Sequence, residues 1–272
     1  MKKNSIVVIV IFSIVFLNLV GCQADKNNEK KEMLFYIGIT MVKPVQELVE
    51  IFEKENNCSI KIIQGGSNDL YESIDASNRG DLYLPGSNSY RLNNYESGHF
   101  LEGQFVGYNK ATLVVKKGNP LGLTGDLSAL ADKNNRVVIC NPDSGSVGKE
   151  TKKILEKYGN FEEVFANALY LTSDSRNITK AISSNEADIS INWYATIFWD
   201  DNEDKVEGII IDEKYALKKK LVFSLLKSSE NKELARKFMK YASSEEGKSI
   251  FYKYGFLDDS DLDEYDEVDI NE

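Results

Sequence analysis

The chain has 272 residues, 42% of them hydrophobic and 28% charged, with 33 Lys and Arg against 43 Asp and Glu. That acidic balance argues against a nucleic-acid partner, whose phosphates need a basic face. One histidine and three cysteines leave little for a His-Asp-Ser triad, a multi-His metal site or an acid/base pair, so no enzyme, cofactor or metal is expected.

At the N-terminus, Lys2 and Lys3 precede Ile6 to Val20, an apolar run broken only by Ser13 and Asn18. A stable membrane span needs about 20 residues; this run has the length of a signal-peptide core. Leu19-Val20-Gly21-Cys22 follows. It resembles the lipobox of bacterial lipoproteins, in which a small residue precedes a Cys that is acylated and becomes the first of the mature chain. Residues 1–21 are thus expected to be a lipoprotein signal peptide, Cys22 the lipidation site carrying fatty acyl chains such as palmitate, and 22–32 a flexible polar tether. Such a chain is exported and held on the outer face of the cell membrane, or on the periplasmic side in a double-membraned cell. Lys2 and Lys3 are the only charges before Cys22, so the remainder carries 31 basic against 43 acidic residues, a net −12. That remainder is long enough for one large domain or two lobes.

The body then alternates. Met33 to Ile39 reads as a strand, and Lys43 to Asn56 as a helix with Val45, Leu48, Val49, Ile51 and Phe52 at helical spacing. Ser59–Ile63 is a strand, Asp69–Ala76 a helix and Asp81–Leu84 a strand. Thr112–Lys116 is a β-branched strand stopped by Lys117-Gly118-Asn119-Pro120. Leu127–Asp132 reads as a short helix, Arg136–Cys140 as a strand, Gly148–Tyr158 as a helix and Ala168–Thr172 as a strand. Ile178–Ser184 is a helix and Asp188–Trp193 a strand. Strand Leu221–Leu226 and helices Asn231–Ser243 and Glu245–Tyr254 close the folded part. The alternation predicts an α/β fold with mainly parallel sheets. Asp258 to Glu272, nearly all acidic and without an apolar period, is expected to be disordered. Cys58 and Cys140 are expected as two buried thiols, with a disulfide as the alternative. His99, in Glu96-Ser97-Gly98-His99, reads as a surface loop residue.

Four strand ends run into small, hydroxyl-rich turns that open helices: Gly38-Ile39-Thr40-Met41, Gly65-Gly66-Ser67-Asn68, Asn141 to Gly148, and Ser173-Asp174-Ser175-Arg176-Asn177. A helix N-terminus carries unpaired N–H groups and a partial positive charge, and Gly or Ser lets a ligand approach that backbone. Each turn could donate hydrogen bonds to an oxyanion. Taken singly, each reads first as a plain helix cap; four in one chain, each at the end of a strand, fit ligand binding at the switch point of an open α/β sheet.

These residues, in this order, resemble the substrate-binding lipoproteins of bacterial ABC importers, a type II periplasmic-binding-protein family, and within it the molybdate-binding type most of all. Thr40 is similar to that family's first Ser, opening a helix that ends in Phe52-Glu53. Gly65-Gly66-Ser67 resembles its Gly-Ser-Ser turn, Gly80-Asp81-Leu82-Tyr83 its Ala-Asp-Val-Phe strand, and Asn109 to Val115 its crossover. Asn141-Pro142 with Gly148 resembles its Asn-Pro loop, Asn177-Ile178 its helix start, Ala187-Asp188 with Trp193 its Ala-Asp strand, and Lys253-Tyr254-Gly255-Phe256 its terminal signature. The resemblance spans Phe35 to Phe256.

The resemblance implies two α/β lobes, 33–111 with 213–257 and 112–212, joined by two crossovers near Lys110–Thr112 and Ile211–Lys220, with the ligand cleft between them. It also implies a monomer, a membrane permease as partner, and an oxyanion held by Thr40, Ser67, Ser144, Gly145, Ser146, Asn177 and Trp193. Arg176, where the family has Glu, is a possible further contact able to fork a carboxylate or phosphate. Gly66 for Ser, Trp193 for Tyr and Arg176 for Glu leave open whether the anion is molybdate, phosphate, sulfate, tungstate or a small organic acid. A ligand sensor that transports nothing is the other reading.

Overall fold

The structure, a computed structural model, describes residues 30–271. The signal segment, Cys22 and the tether up to residue 29 lie outside the described residues. Strand β1 (Lys31–Gly38) already begins inside the stretch expected as tether.

Two five-stranded sheets form the body. The first contains β1, β2 (Cys58–Gly65), β3 (Leu82–Leu84), β4 (Phe100–Asn109) and β10 (Lys219–Leu226), in the order β2-β1-β3-β10-β4. The second contains β5 (Ala111–Lys116), β6 (Val137–Cys140), β7 (Ala168–Thr172), β8 (Ile189–Trp193) and β9 (Val206–Ile210), in the order β7-β6-β8-β5-β9. β1 with β3, and β6 with β7 and β8, are parallel. β10 runs antiparallel to β3 and β4, and β5 antiparallel to β8 and β9. The antiparallel strands are those on which the chain changes sheet. Only Lys110 separates β4 from β5, and residues 211–218 link β9 back to β10.

Helices cover both sheets. α1 (Val42–Asn56) buries Val45, Leu48, Val49 and Phe52 and stops where Asn57 turns left-handed, with φ 44°. α2 (Ser67–Ser77) and α3 (Ser89–Asn93) lie before and after β3. α7 (Lys232–Ala242) inserts Phe238 among Phe35, Phe52 and Phe223, with the first two ring centroids 4.8 and 5.1 Å away. In the second lobe, α4 (Ser146–Tyr158), α5 (Phe161–Asn167) and α6 (Ser175–Ser183) flank a separate core of Leu113, Ile139, Ile154, Ile189 and Ile191. Cys58 and Cys140 are buried in different lobes, and no disulfide joins them. His99 lies close to Asp75, Nε2 to Oδ1 2.8 Å.

The acidic C-terminal segment corrects the expectation of disorder. After α8 (Glu245–Lys253), residues 258–271 form a capped turn of helix, α9 (Asp259–Asp263), and then a chain that packs back on the first lobe. Tyr265 is 5% exposed and donates its hydroxyl to the Phe105 carbonyl at 2.8 Å, and Asn88 donates to the Ile270 carbonyl at 2.6 Å. Charge repulsion does not keep the segment away, because Asp258 and Asp261 meet cations. Asp261 lies 2.6 Å from Lys110 Nζ and 2.7 Å from Lys218 Nζ, and Asp258 also pairs with Lys110. Lys110 sits on one crossover and Lys218 on the other, so two carboxylates clamp both strands of the hinge.

This clamp predicts an acid response. Burial opposes ionisation of Asp258, but hydrogen bonds from Lys110 and Ser260 outweigh it and hold the carboxyl well below the usual carboxylate range. A depressed folded pKa contributes stability that is in place above the unfolded value, near 4, and is lost as pH falls through the folded one. The melting temperature is therefore expected to fall below about pH 4, with Asp258→Asn showing a shallower decline. Identical acid profiles for the two proteins would show that the clamp adds nothing.

Candidate functional site

Helix starts converge between the sheets. Gly38 precedes a single 3₁₀ turn (Ile39–Met41) leading into α1, Gly66 caps α2 and Gly145 caps α4. None of these three glycines can supply a side-chain cap, so first-turn N–H groups stay available for another acceptor. The fourth helix differs. Asp174 caps α6 by accepting from the N–H groups of Arg176 and Asn177.

The four turns enclose a cavity. Gly38 to Thr40, Gly65 to Ser67 and Gly86 form its wall from the first lobe. Gly145 to Val147, Ser173 to Ser175 and Trp193 form it from the second. The space open to the centre of a water molecule is about 20 Å³, little more than one water needs. Adding a water radius of 1.4 Å puts the wall of the equivalent sphere about 3 Å from its centre. The lining includes neither Lys nor Arg, and Asp174 is its one charged side chain.

The hydroxyls are set by their neighbours. Ser67, 2% exposed, accepts the Gly86 N–H at 3.0 Å, which leaves its own proton to donate elsewhere. Tyr83 fixes that turn by donating its hydroxyl to the Ser67 carbonyl at 2.7 Å. Thr40, 3% exposed, donates to the Met41 sulfur at 2.8 Å, a weak acceptor that an oxyanion would displace. Ser175 is 2% exposed, and its carbonyl is held by the Asn192 amide at 3.0 Å. The Ser146 and Ser175 hydroxyls have no hydrogen-bond partner among the described residues. Trp193 packs among Cys140, Val147 and Ile178. Burial pushes the Cys140 thiol up, so it stays neutral beside the site.

Of the residues singled out in the sequence, Thr40, Ser67, Gly145, Ser146 and Trp193 line this cavity. Ser144 and Asn177 do not. The Ser144 hydroxyl lies 3.0 Å from both the Asn141 and Ser173 carbonyls, and the Asn177 amide donates to Ser173 Oγ at 2.9 Å. Arg176 faces a neighbouring space instead. Gly86 and Ser175 also line the cavity and are not among the residues that the sequence singles out. Ser175 belongs to one of the four hydroxyl-rich turns, as the first residue of its helix. Gly86, in Leu84-Pro85-Gly86-Ser87, carried only a turn signal.

The two lobes touch across the cavity. A Cβ on Gly86 would lie 2.3 Å from Ser146 Oγ, and one on Gly66 would lie 3.1 Å from the Ser144 carbonyl. One face of α4 continues the contact. Lys149 Nζ sits 4.5 Å from the Tyr90 ring centroid, and Glu150, its side chain 7% exposed, pairs with Lys219 at 2.9 Å. Burial, with Asp69 nearby, pushes the Tyr90 hydroxyl up to about 12, so the ring faces Lys149 uncharged. Lys43 and Asp200 pair at the other side of the cleft.

Among the described residues no group of three or more His, Cys, Asp and Glu is placed to hold a metal, and no helix is long and apolar enough to cross a membrane. The family model described as bacterial extracellular solute-binding protein matches residues 33–257. A Bacillus subtilis protein named "Putative ABC transporter substrate-binding lipoprotein YvgL" is 23% identical over 265 residues, covering 94% of this chain and 98% of that protein. Among solved structures, the periplasmic molybdate-binding protein of Azotobacter vinelandii superimposes with a TM-score of 0.67 at 20% identity, over 82% of this chain and 98% of its own. L-phospholactate-bound PEB3, a protein of Campylobacter jejuni, superimposes with a TM-score of 0.66 at 18% identity, over 83% and 99%.

Proposed function

The chain belongs to the bacterial extracellular solute-binding protein family, and from that premise we propose that it is the receptor of an ABC importer, capturing a small anion by an oxyanion group held between its lobes. The observation that carries this reading is the cavity itself: glycine-capped helix starts and buried hydroxyls from both lobes around a space for one small ion, without a lysine or arginine in the wall. Neutral dipoles suffice for such a guest, because each hydrogen bond to a charged group contributes roughly 1.5–3 kcal/mol. About half a dozen reach sub-micromolar affinity after the cost of closure.

Molybdate and tungstate are the expected inorganic ligands, in keeping with the size of the cavity and with the Azotobacter neighbour. Asp174 favours a second reading. A carboxylate only accepts, so in the wall of the cavity it repels a fully ionised oxyanion and suits one that keeps a proton to donate, such as hydrogen phosphate. In either case, acylation at Cys22 would keep the cleft within reach of a membrane permease, and no step calls for catalysis.

Thermal shift on the purified protein separates these ligands. A rise with molybdate or tungstate supports the first reading, a rise with phosphate alone the second, and no response to any oxyanion would sink both. Ser67→Ala and Thr40→Ala are each expected to weaken the anion that binds by about 1–2 kcal/mol; Ser67→Ala also strips the Gly86 N–H of its acceptor and lowers the melting temperature of the free protein by a few degrees, while Thr40→Ala leaves it near the parent. Unaltered affinity in both variants would place the ligand elsewhere.

A further inference from the structure

Next to the small cavity lies a second space between the lobes, of about 630 Å³, within the range of small-molecule sites. Ile39 lines both spaces, and the chain-adjacent pairs Gln64-Gly65 and Ser175-Arg176 divide between them. The two are thus about one residue apart, a distance on the order of 4 Å.

The charge of this chamber is unlike that of its surroundings. In a chain of net charge −10, it gathers Lys43, Arg176, Lys180 and Lys205 against the single carboxylate of Asp201. Lys43 pairs with Asp200 across the lobes. Arg176, Lys180 and Lys205 form no salt bridge among the described residues. Trp199, 8% exposed, also lines the chamber, and its indole N–H has no hydrogen-bond partner among the described residues. Arg176 and Lys180, one turn apart on the exposed face of α6, share this space with the exposed Lys205 and outnumber its one carboxylate, and a bound anion would offset that excess of positive charge. A planar guanidinium beside two ammonium groups suits a carboxylate or a phosphate.

We infer that this chamber is a second anion subsite of the same cleft, so that the solute carries two anionic groups. Its oxyanion head, a phosphate or phosphonate, fills the small cavity, and a carboxylate or second phosphate roughly two or three carbons away lies among Arg176, Lys180 and Lys205. This rests on the small cavity being the oxyanion site.

Isothermal titration with a matched pair of probes tests it. Methylphosphonate and 3-phosphonopropionate share the head, and only the second carries a distal carboxylate. The expected result is 3-phosphonopropionate binding about tenfold tighter than methylphosphonate, with the ratio falling to near one in the Arg176→Ala, Lys205→Ala double variant. Equal affinities in the parent protein, or a ratio that survives the double variant, would overturn the subsite. Molybdate binding with neither phosphonate bound would overturn the subsite and leave the parent reading standing. Silence toward every oxyanion would remove both.

Discussion

Gly86→Val is expected to lower oxyanion affinity about 100-fold, equivalent to about 2.7 kcal/mol, while the free protein melts within a few degrees of the parent. Gly86 lies just past β3, and its N–H holds Ser67 Oγ in place. A Cβ there would stand 2.3 Å from Ser146 Oγ and 3.1 Å from Ser146 Cβ, both on the other lobe. Within its own lobe the tightest contact is the Asn109 amide nitrogen at 3.3 Å, which need shift by only a few tenths of an ångström. The clash therefore belongs to the closed form and disappears when the lobes part. A branched side chain makes rotation of Ser146 an insufficient escape. The ligand must then supply the energy to close against it, and its apparent affinity falls by that amount. Titration calorimetry gives the affinity, and a melt without ligand shows whether the lobes remain folded. Parent-like affinity in Gly86→Val would mean that binding does not use the apposition of Gly86 and Ser146.

The same residue marks the limit of what the sequence discloses. Helices such as α1 and α7 are legible because their buried residues recur at helical spacing, a property of the segment itself. The glycine and hydroxyl turns are legible for a similar reason, since the chemistry of a helix N-terminus is local. Which residue of a turn faces the cleft is not local. Ser144 turns its hydroxyl to two carbonyls, one of them on Ser173 in the next turn, while Ser175 presents its own. Gly86 acquires its role only when the second lobe brings Ser146 against it. β4 and β9 leave little trace in the sequence because both are sheet edges with mixed polarity: β4 carries Gly103 and Gly107, and β9 leaves Ile210 79% exposed. Composition misled at the C-terminus, where the count of carboxylates concealed three apolar anchors, Tyr265, Val268 and Ile270.

Those anchors set the second large effect. Tyr265→Ala is expected to destabilise the protein by about 3–4 kcal/mol, the usual range for emptying a buried aromatic site. For a domain of this size that is roughly 10 °C in melting temperature. The ring lies 4.9 Å from that of Phe105, and Lys248 Nζ sits 4.3 Å from its centroid on the first lobe. Tyr265→Phe keeps the packing and loses only the hydrogen bond to the Phe105 carbonyl, so it should cost about 1 kcal/mol. Deleting residues 258–272 adds a second loss, because Lys110 and Lys218 then face each other across the hinge without Asp258 and Asp261. The truncated chain is expected to melt below Tyr265→Ala, and high salt, which screens the two lysines, should recover part of the difference. A truncation that melts with the parent protein would mean the segment contributes nothing to the folded state. One that melts with Tyr265→Ala at every salt concentration would confine its contribution to packing and leave the hinge lysines without a role.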